Sequence, residues 1–217
     1  VGDDTASNPS NTDRRTSESR LIDHIFDTTT ARDNASVVSL DTNGFTLNWG
    51  RVADSSDYFY ILGLDGVQAA ARTITSPSGT GTASITGLSF EPKAAICLHC
   101  QQAAVGDNTH ASLMAGVADQ TTEYSCDWTS ENSVSNASDC ERVWSDEFIV
   151  QNWQNSITIR ATVSAWNSDG VTVNWTTNSA ARKYLLLLLG DEASAGSPSP
   201  RANIQGPLVG PLGGPIG

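Results

Sequence analysis

The sequence predicts an all-β protein with two related β-sandwich-like units that arise from an internal repeat, the first unit being incomplete at its N-terminus. Three observations favour this fold class. Short apolar runs are separated by residues typical of turns, the composition is rich in glycine and in small polar residues, and one segment occurs twice. At 217 residues the chain is long enough for roughly one and a half to two sandwich domains with buried cores.

The segment that occurs twice is related by a constant offset of 126 residues. Its first copy, from Gly44, has the sequence GFTLNWGRVADSSDYFYILGLD, and its second copy, from Gly170, has the sequence GVTVNWTTNSAARKYLLLLLGD. The positions that are identical in the two copies, without a gap, are Ala35/Ala161, Val37/Val163, Gly44/Gly170, Thr46/Thr172, Asn48/Asn174, Trp49/Trp175, Tyr58/Tyr184, Leu62/Leu188 and Asp65/Asp191.

A β-hairpin is predicted at the start of each copy. The first turn is Asp41–Gly44 and the second is Asn167–Gly170. Asn-Gly and Asp-Gly pairs tolerate the positive φ values of tight turns, and β-branched residues alternate on both sides of them. The sequence therefore predicts antiparallel pairing across both turns.

Each copy also has a tryptophan and a tyrosine at equivalent positions. Trp49 and Trp175 lie on the apolar face of a strand in which apolar residues alternate with Thr and Asn. Tyr58 and Tyr184 begin the runs YFYILGL and YLLLLLG, which are apolar on both sides and are therefore typical of central strands covered on two faces. We predict that all four aromatic side chains belong to the cores of the repeat.

The repeat divides the chain into four regions. We expect a partial first β-repeat at 1–70, a connector at 71–80, a complete second β-repeat at 81–192 and a Pro/Gly-rich extended tail at 193–217. Under the offset, the counterpart of the front half of the second copy, Thr80–Cys126, would fall before the first residue.

The first unit is therefore expected to lack strands. We interpret Val1 as a processing or proteolysis site or as the edge of a longer polyprotein, with the missing strands supplied by a neighbouring chain or a retained fragment. The alternative interpretation is that the first unit is simply a smaller domain.

All four cysteines lie in the second copy, at Cys97, Cys100, Cys126 and Cys140. The Cys-x2-Cys spacing invites a zinc site, but structural zinc sites usually close with a second tight pair, and Cys97 and Cys100 would point to opposite faces of a strand. We therefore predict no metal and no cofactor. Buried thiols or a single disulfide between Cys126 and Cys140 are the preferred interpretations.

Net charge and motif content argue against several functions. The net charge is −12, which makes nucleic acids and anionic membranes poor partners. His24, His99 and His110 have no spacing that makes a metal pair, and neither a nucleophile elbow nor a glycine-rich loop before a helix is present. We therefore expect no enzyme. A glycan hydrolase, which needs two carboxylates across a cleft, is a third interpretation of the function.

Three tryptophans lie outside the segment that matches between the two copies, namely Trp128, Trp144 and Trp153. Aromatic faces stack on sugars, so these residues are candidates for an exposed glycan platform. An alternative function is accordingly a carbohydrate-binding or adhesin module, which could be secreted and act outside the cell.

The second copy contains the segment TGTASITGLSFEPKAAI and, later, the segment GVTVNWTTNSAARKYLLLLLG. Together these segments resemble a repeated β-domain of virion-associated proteins from tailed bacteriophages. In those proteins a TGLGF-P-A segment precedes a DGFTLNW…ARKYLAL segment. The resemblance covers Thr80–Asp191 fully and Ala35–Asp65 in part, with Gly63 and Leu64 departing from the usual end of the strand.

The resemblance implies a non-enzymatic structural protein at the virion surface. Such a protein would decorate the capsid as a cement protein, or form part of the tail or a fibre. Its partners would be other virion proteins and copies of itself, contacted through strand edges and extended arms. No catalytic residue is carried over by the resemblance.

Overall fold

The computed structural model describes residues 2–4, 11–16, 19–25, 31–42, 44–52, 59, 61, 63–64, 66–99, 106–108, 111–130, 140–153 and 156–192. These residues form β-strands joined by turns and contain no helix, so none of them provides a helix that could cross a membrane. The strands are β1 (Gly2–Asp4), β2 (Asn11–Thr16), β3 (Ile22–Ile25), β4 (Ala31–Asp41), β5 (Gly44–Arg51), β6 (Gln68–Thr75), β7 (Gly81–Ile85), β8 (Pro92–His99), β9 (Gly106–Asn108), β10 (Ala111–Asp119), β11 (Glu123–Ser130), β12 (Cys140–Ser145), β13 (Ile149–Trp153), β14 (Ser156–Asn167), β15 (Gly170–Thr177) and β16 (Lys183–Gly190).

Two antiparallel sheets form a sandwich-like arrangement. The larger sheet has the strand order β12-β11-β10-β8-β16-β6, and the smaller sheet has the order β13-β14-β15-β7. Apolar side chains from both sheets form one core, whose largest fully buried members include Trp175, Tyr184, Phe148 and Met114. The predicted all-β, sandwich-like fold class is therefore confirmed, and so are the predicted core positions Trp175 and Tyr184.

Two smaller sheets lie outside the sandwich, β1-β2-β9 and β3-β4-β5. The β4–β5 hairpin has the same pairing as the β14–β15 hairpin after a shift of 126 residues, so that Ala35 pairs with Trp49 as Ala161 pairs with Trp175. Both hairpins also contain two register shifts at equivalent places. The two predicted hairpins are therefore confirmed, and they are paired alike.

Glycine is required at position 170 because of a close contact with a neighbouring strand, and not because of the turn conformation that the sequence predicted. It begins the extended strand β15, and its φ lies outside the left-handed region. A Cβ atom at this position would overlap with the carbonyl group of Ile85 in the neighbouring strand β7. At Gly44, the equivalent residue of β5, a Cβ atom would meet no atom of the described part of the chain within 4 Å.

The predicted connector is wrong for residues 71–75, which belong to strand β6. This strand pairs with β16 along its whole length, from Gln68 opposite Gly190 to Thr75 opposite Lys183. Strand β8 occupies the other edge of β16. Because a central strand needs hydrogen-bonding partners on both edges, residues that looked like a link complete the larger sheet.

The predicted burial of Trp49 is also wrong, since its side chain is 42% exposed. The ring contacts Phe59, with the two ring centroids 5.7 Å apart. The ring of Trp175 lies against that of Tyr184 in the six-stranded sheet, with centroids 5.9 Å apart, whereas the contacts of β4 and β5 in the described residues are mainly with each other and with β3. Tyr58 and the predicted tail at 193–217 lie outside the described residues.

Candidate interaction surface

The outward side of the six-stranded sheet carries two rows of mainly apolar side chains that cross its strands. The first row consists of Leu185, Leu98, Ala115, Cys126 and Trp144, and the second consists of Leu187, Ile96, Val117 and Tyr124. We call these two rows the outer face. Trp144 is 76% exposed and Leu185 is 47% exposed, and neither row contains a charged residue. Contiguous exposed apolar surface of this kind marks sites of association.

Strand alternation explains how the sequence builds the outer face. In β16, Leu186 and Leu188 point into the core and are fully buried, whereas Leu185 points outward. Strand β8 alternates in the same way, with Cys97 buried and Leu98 exposed. An antiparallel sheet with one side in water ordinarily carries polar residues on that side. At β8 and β16 this sheet is mainly apolar on both sides.

The prediction that the leucine run forms a covered central strand is therefore only half right. Strand β16 is central, because it lies between β8 and β6. Its outward leucines, however, are not covered within the part of the chain that the structure describes, as the exposure of Leu185 indicates. The apolar run correctly predicted a central strand, but within the described residues its outward side is only partly covered.

The inward side of the same sheet holds a buried polar group beside the core. His99 donates from Nδ1 to the carbonyl of Lys183 at 2.7 Å, and its ring lies on that of Tyr184 with centroids 4.2 Å apart. The Tyr184 hydroxyl donates to Oε1 of Gln151 at 3.4 Å. Burial raises the pKa of the Tyr184 hydroxyl, which therefore stays protonated at neutral pH. These contacts give His99 a structural role.

Two carboxylates join the larger sheet to the smaller one. Glu123 of β11 accepts hydrogen bonds from the backbone N–H groups of Phe148 at 3.0 Å and Val163 at 2.8 Å. Asp127, also in β11, accepts one from the N–H of Asn152 at 2.8 Å. Burial raises the pKa of Glu123, while the two backbone hydrogen bonds oppose that shift. The hydrogen bonds of these acidic side chains stabilise the sandwich.

The three candidate platform tryptophans are not brought together on one sheet. Trp144 and Trp128 both project from the outward side of the six-stranded sheet, where Trp144 pairs with Cys126 and Trp128 with Arg142. They are therefore diagonal neighbours, within reach of large aromatic side chains. Trp153 ends β13 in the other sheet. Trp128 is half-buried, so Trp144 is the more accessible of the pair.

The predicted disulfide does not form in this arrangement, and Cys126 is a free, exposed thiol. In the β11–β12 ladder Cys126 pairs with Trp144, while Cys140 pairs with Ser130. The two cysteines are thus four ladder positions apart, about 13 Å at the usual rise of a strand. A disulfide requires Cα atoms within about 7 Å of each other. Cys97 is a buried thiol, and burial raises its pKa.

Metal-ligating residues do not gather in the described part of the chain, where no group of three His, Cys, Asp or Glu side chains could hold an ion. His24 instead lies 3.2 Å from a carboxylate oxygen of Asp33 in the neighbouring strand. Cys100 and His110 lie outside the described residues. Comparisons with protein-family models, with curated proteins and with solved structures found no match to this chain.

Proposed function

We propose that this chain is a non-enzymatic structural protein of a virus particle, which decorates the capsid or forms part of the tail or a fibre. The observation that carries the proposal is the uncharged, apolar outer face. Its place would be the virion surface, and its partners would be copies of itself and other virion proteins. The resemblance of its two motif segments to a bacteriophage virion domain supports the same proposal.

The outer face is suited to association between copies of the chain. It is formed by five neighbouring strands, so its position is set by the backbone ladder and not by mobile loops. Trp144 is the largest exposed side chain on it, and tryptophans are enriched among the residues that contribute most to protein interfaces. Association would remove Trp144, Leu98 and Val117 from water, which is favourable by about 25 cal/mol per Å² of apolar surface.

The self-association can be tested by native mass spectrometry and sedimentation of the full chain. We expect species larger than the 22.9 kDa monomer. Leu98→Glu and Val117→Glu place a charge on the outer face, and each should shift the protein toward monomer. Thr82→Glu, at an exposed position of the smaller sheet, is the matched control and should leave the assembly unchanged. A wild-type protein that stays monomeric at every accessible concentration would contradict association through the outer face.

The place of the protein in a particle needs a separate experiment. Purified virions from the source should contain the intact chain in stoichiometric amounts, detected by mass spectrometry, and antibodies to it should label the particle surface. Recovery of the chain only as a free protein, with none in purified particles, would refute the virion role.

Carbohydrate binding is a second candidate, because Trp144 is 76% exposed and has Trp128 as its diagonal neighbour. Such a module would act as an adhesin, either secreted or on the particle. A glycan array probed with the monomeric Leu98→Glu variant tests it. Binding that is lost in Trp144→Ala and kept in Trp153→Ala would favour this function, whereas no glycan signal would remove it.

A further inference from the structure

The edge of strand β5 has an occupied equivalent elsewhere in the same molecule. Strand β15 pairs with β14 on one side and with β7 on the other. Strand β5 pairs with β4, and within the described residues it is the last strand of its sheet. Unpaired strand edges present rows of N–H and C=O groups that accept another strand.

The two edges have the same geometry because the two hairpins have the same register. Each pair of β4 and β5, from Ala35–Trp49 to Asp41–Gly44, recurs in β14 and β15 after a shift of 126 residues, together with the register shifts. The segment of β15 that binds β7 is Val171–Trp175. Its equivalent in β5 is therefore Phe45–Trp49.

We propose that Phe45–Trp49 is a strand-acceptor site, which binds an extended segment of the β7 type in antiparallel orientation. The occupant is a partner segment with the chemistry of Gly81–Ile85, whose residues are small or hydroxylated up to a final β-branched apolar residue. The assignment of the donor to another protein of the particle rests on the proposed function. The register of the site rests only on the pairing of the two hairpins.

The pairing of β7 with β15 defines what each donor position must be. Gly81 lies opposite Trp175, so a glycine or other small residue is required opposite Trp49. Ile85 lies opposite Val171 and is buried, so an apolar donor residue is required opposite Phe45. These two positions anchor the ends of the donor.

A hydroxyl residue is required between these ends. Ser84 and Thr172 face outward and their hydroxyl oxygens are 2.9 Å apart. The equivalent of Thr172 in β5 is Thr46, whose hydroxyl donates to Asp41 at 2.8 Å and can still accept a hydrogen bond. A serine or threonine of the donor opposite Thr46 would supply that bond.

Gly44 provides an independent argument for the site. Its equivalent, Gly170, must be glycine because the carbonyl of Ile85 passes directly beside it. At Gly44 no atom of the described residues lies within 4 Å of a Cβ atom placed there. A donor strand that binds β5 as β7 binds β15 would fill this space with its backbone.

A peptide-binding experiment with the full chain tests the site. The probe is the fluorescent peptide TGTASITGL, the sequence of residues 80–88. We expect saturable binding by fluorescence anisotropy and slower hydrogen exchange at the amides of residues 45–49. The same peptide with proline at the position of Ala83 should not bind, because proline has no N–H and disrupts the ladder.

Gly44→Val should lower the affinity for the peptide by about 10- to 100-fold, because the valine side chain would occupy the space that the backbone of the donor needs. The free protein should keep its melting temperature. Gly79→Val is the matched control, since among the residues that the structure describes a Cβ atom there also meets nothing within 4 Å, and it should bind the peptide normally.

Either of two results would overturn the strand-acceptor site. One is the absence of saturable binding, and the other is equal binding by Gly44→Val with protection at residues 171–175, which would indicate exchange with β7. The outcome is separable from the proposed function, because the assembly test with Leu98→Glu and the search for the chain in purified virions do not involve Gly44.

Discussion

The carbonyl group of Ile85 lies directly beside Gly170, where any side chain on residue 170 would overlap with it. The contact belongs to the β7–β15 ladder, so it is fixed by the sheet and cannot easily relax. We expect Gly170→Ala to lower the free energy of unfolding by about 1–3 kcal/mol, the usual effect of overpacking. Gly44→Ala should change it by less than about 0.5 kcal/mol. Urea unfolding followed by circular dichroism measures both, and equal losses would contradict the packing described here.

Neighbouring leucines of β16 should respond very differently to truncation. Leu186 is fully buried, so Leu186→Ala should cost about 2–5 kcal/mol of unfolding free energy. Leu185 is 47% exposed, so Leu185→Ala should cost far less in the monomer and should instead weaken self-association. Urea unfolding and sedimentation separate the two effects. Similar destabilisation by both variants would mean that the outward leucines are covered.

The Glu123 carboxylate should be a measurable link between the sheets. Glu123→Ala leaves the N–H groups of Phe148 and Val163 without this acceptor, and we expect a loss of about 2 kcal/mol in unfolding free energy. Hydrogen exchange should accelerate at these two amides first. Glu123→Gln keeps one amide oxygen as an acceptor and should lie between the wild type and Glu123→Ala. Unchanged exchange at both amides would exclude this role.

Asp119 should titrate well below an ordinary aspartate. Its carboxylate accepts hydrogen bonds from the hydroxyl and backbone N–H groups of Thr121 and Thr122, which lower its pKa from 3.8 to about 2. Because the folded pKa is depressed, its contribution to stability is complete above about pH 3.8 and is lost as the pH falls through about 2.

A carboxyl-carbon NMR titration measures this pKa directly. Thr121→Val removes the hydroxyl that contributes most to the shift, so the midpoint of Asp119 should rise toward 3.8. A wild-type midpoint near 3.8 would show that the turn does not hold the carboxylate in this way.

The thiols should differ in accessibility. We expect a maleimide reagent to label Cys126 in the folded, monomeric Leu98→Glu variant and to label Cys97 only after unfolding, as resolved by peptide mapping. Burial and the raised pKa both keep the Cys97 thiolate scarce. Failure of Cys126 to react before reduction, with recovery after reduction, would indicate a disulfide and contradict the ladder register.

The features that the sequence determined are those encoded by neighbouring residues. Alternation of apolar and polar residues, together with Asp-Gly and Asn-Gly turns, was enough for the all-β class and for the β4–β5 and β14–β15 hairpins. The burial of Trp175 followed from the same alternation. These predictions succeeded because side-chain direction in a strand depends only on the parity of the position.

Tertiary structure alone decided which faces and edges are covered. It showed that Gln68–Thr75 pairs with one edge of β16, that Trp49 is exposed while Trp175 is buried, and that the outward Leu185 is exposed. It also placed Cys126 and Cys140 four ladder positions apart. The coverage of a strand cannot be predicted from its neighbours in sequence, because it depends on segments far away in the chain that pack against its edges and faces. A pattern of apolar residues indicates that burial of a surface is favourable. The tertiary structure determines whether strands of the same chain or a partner bury it.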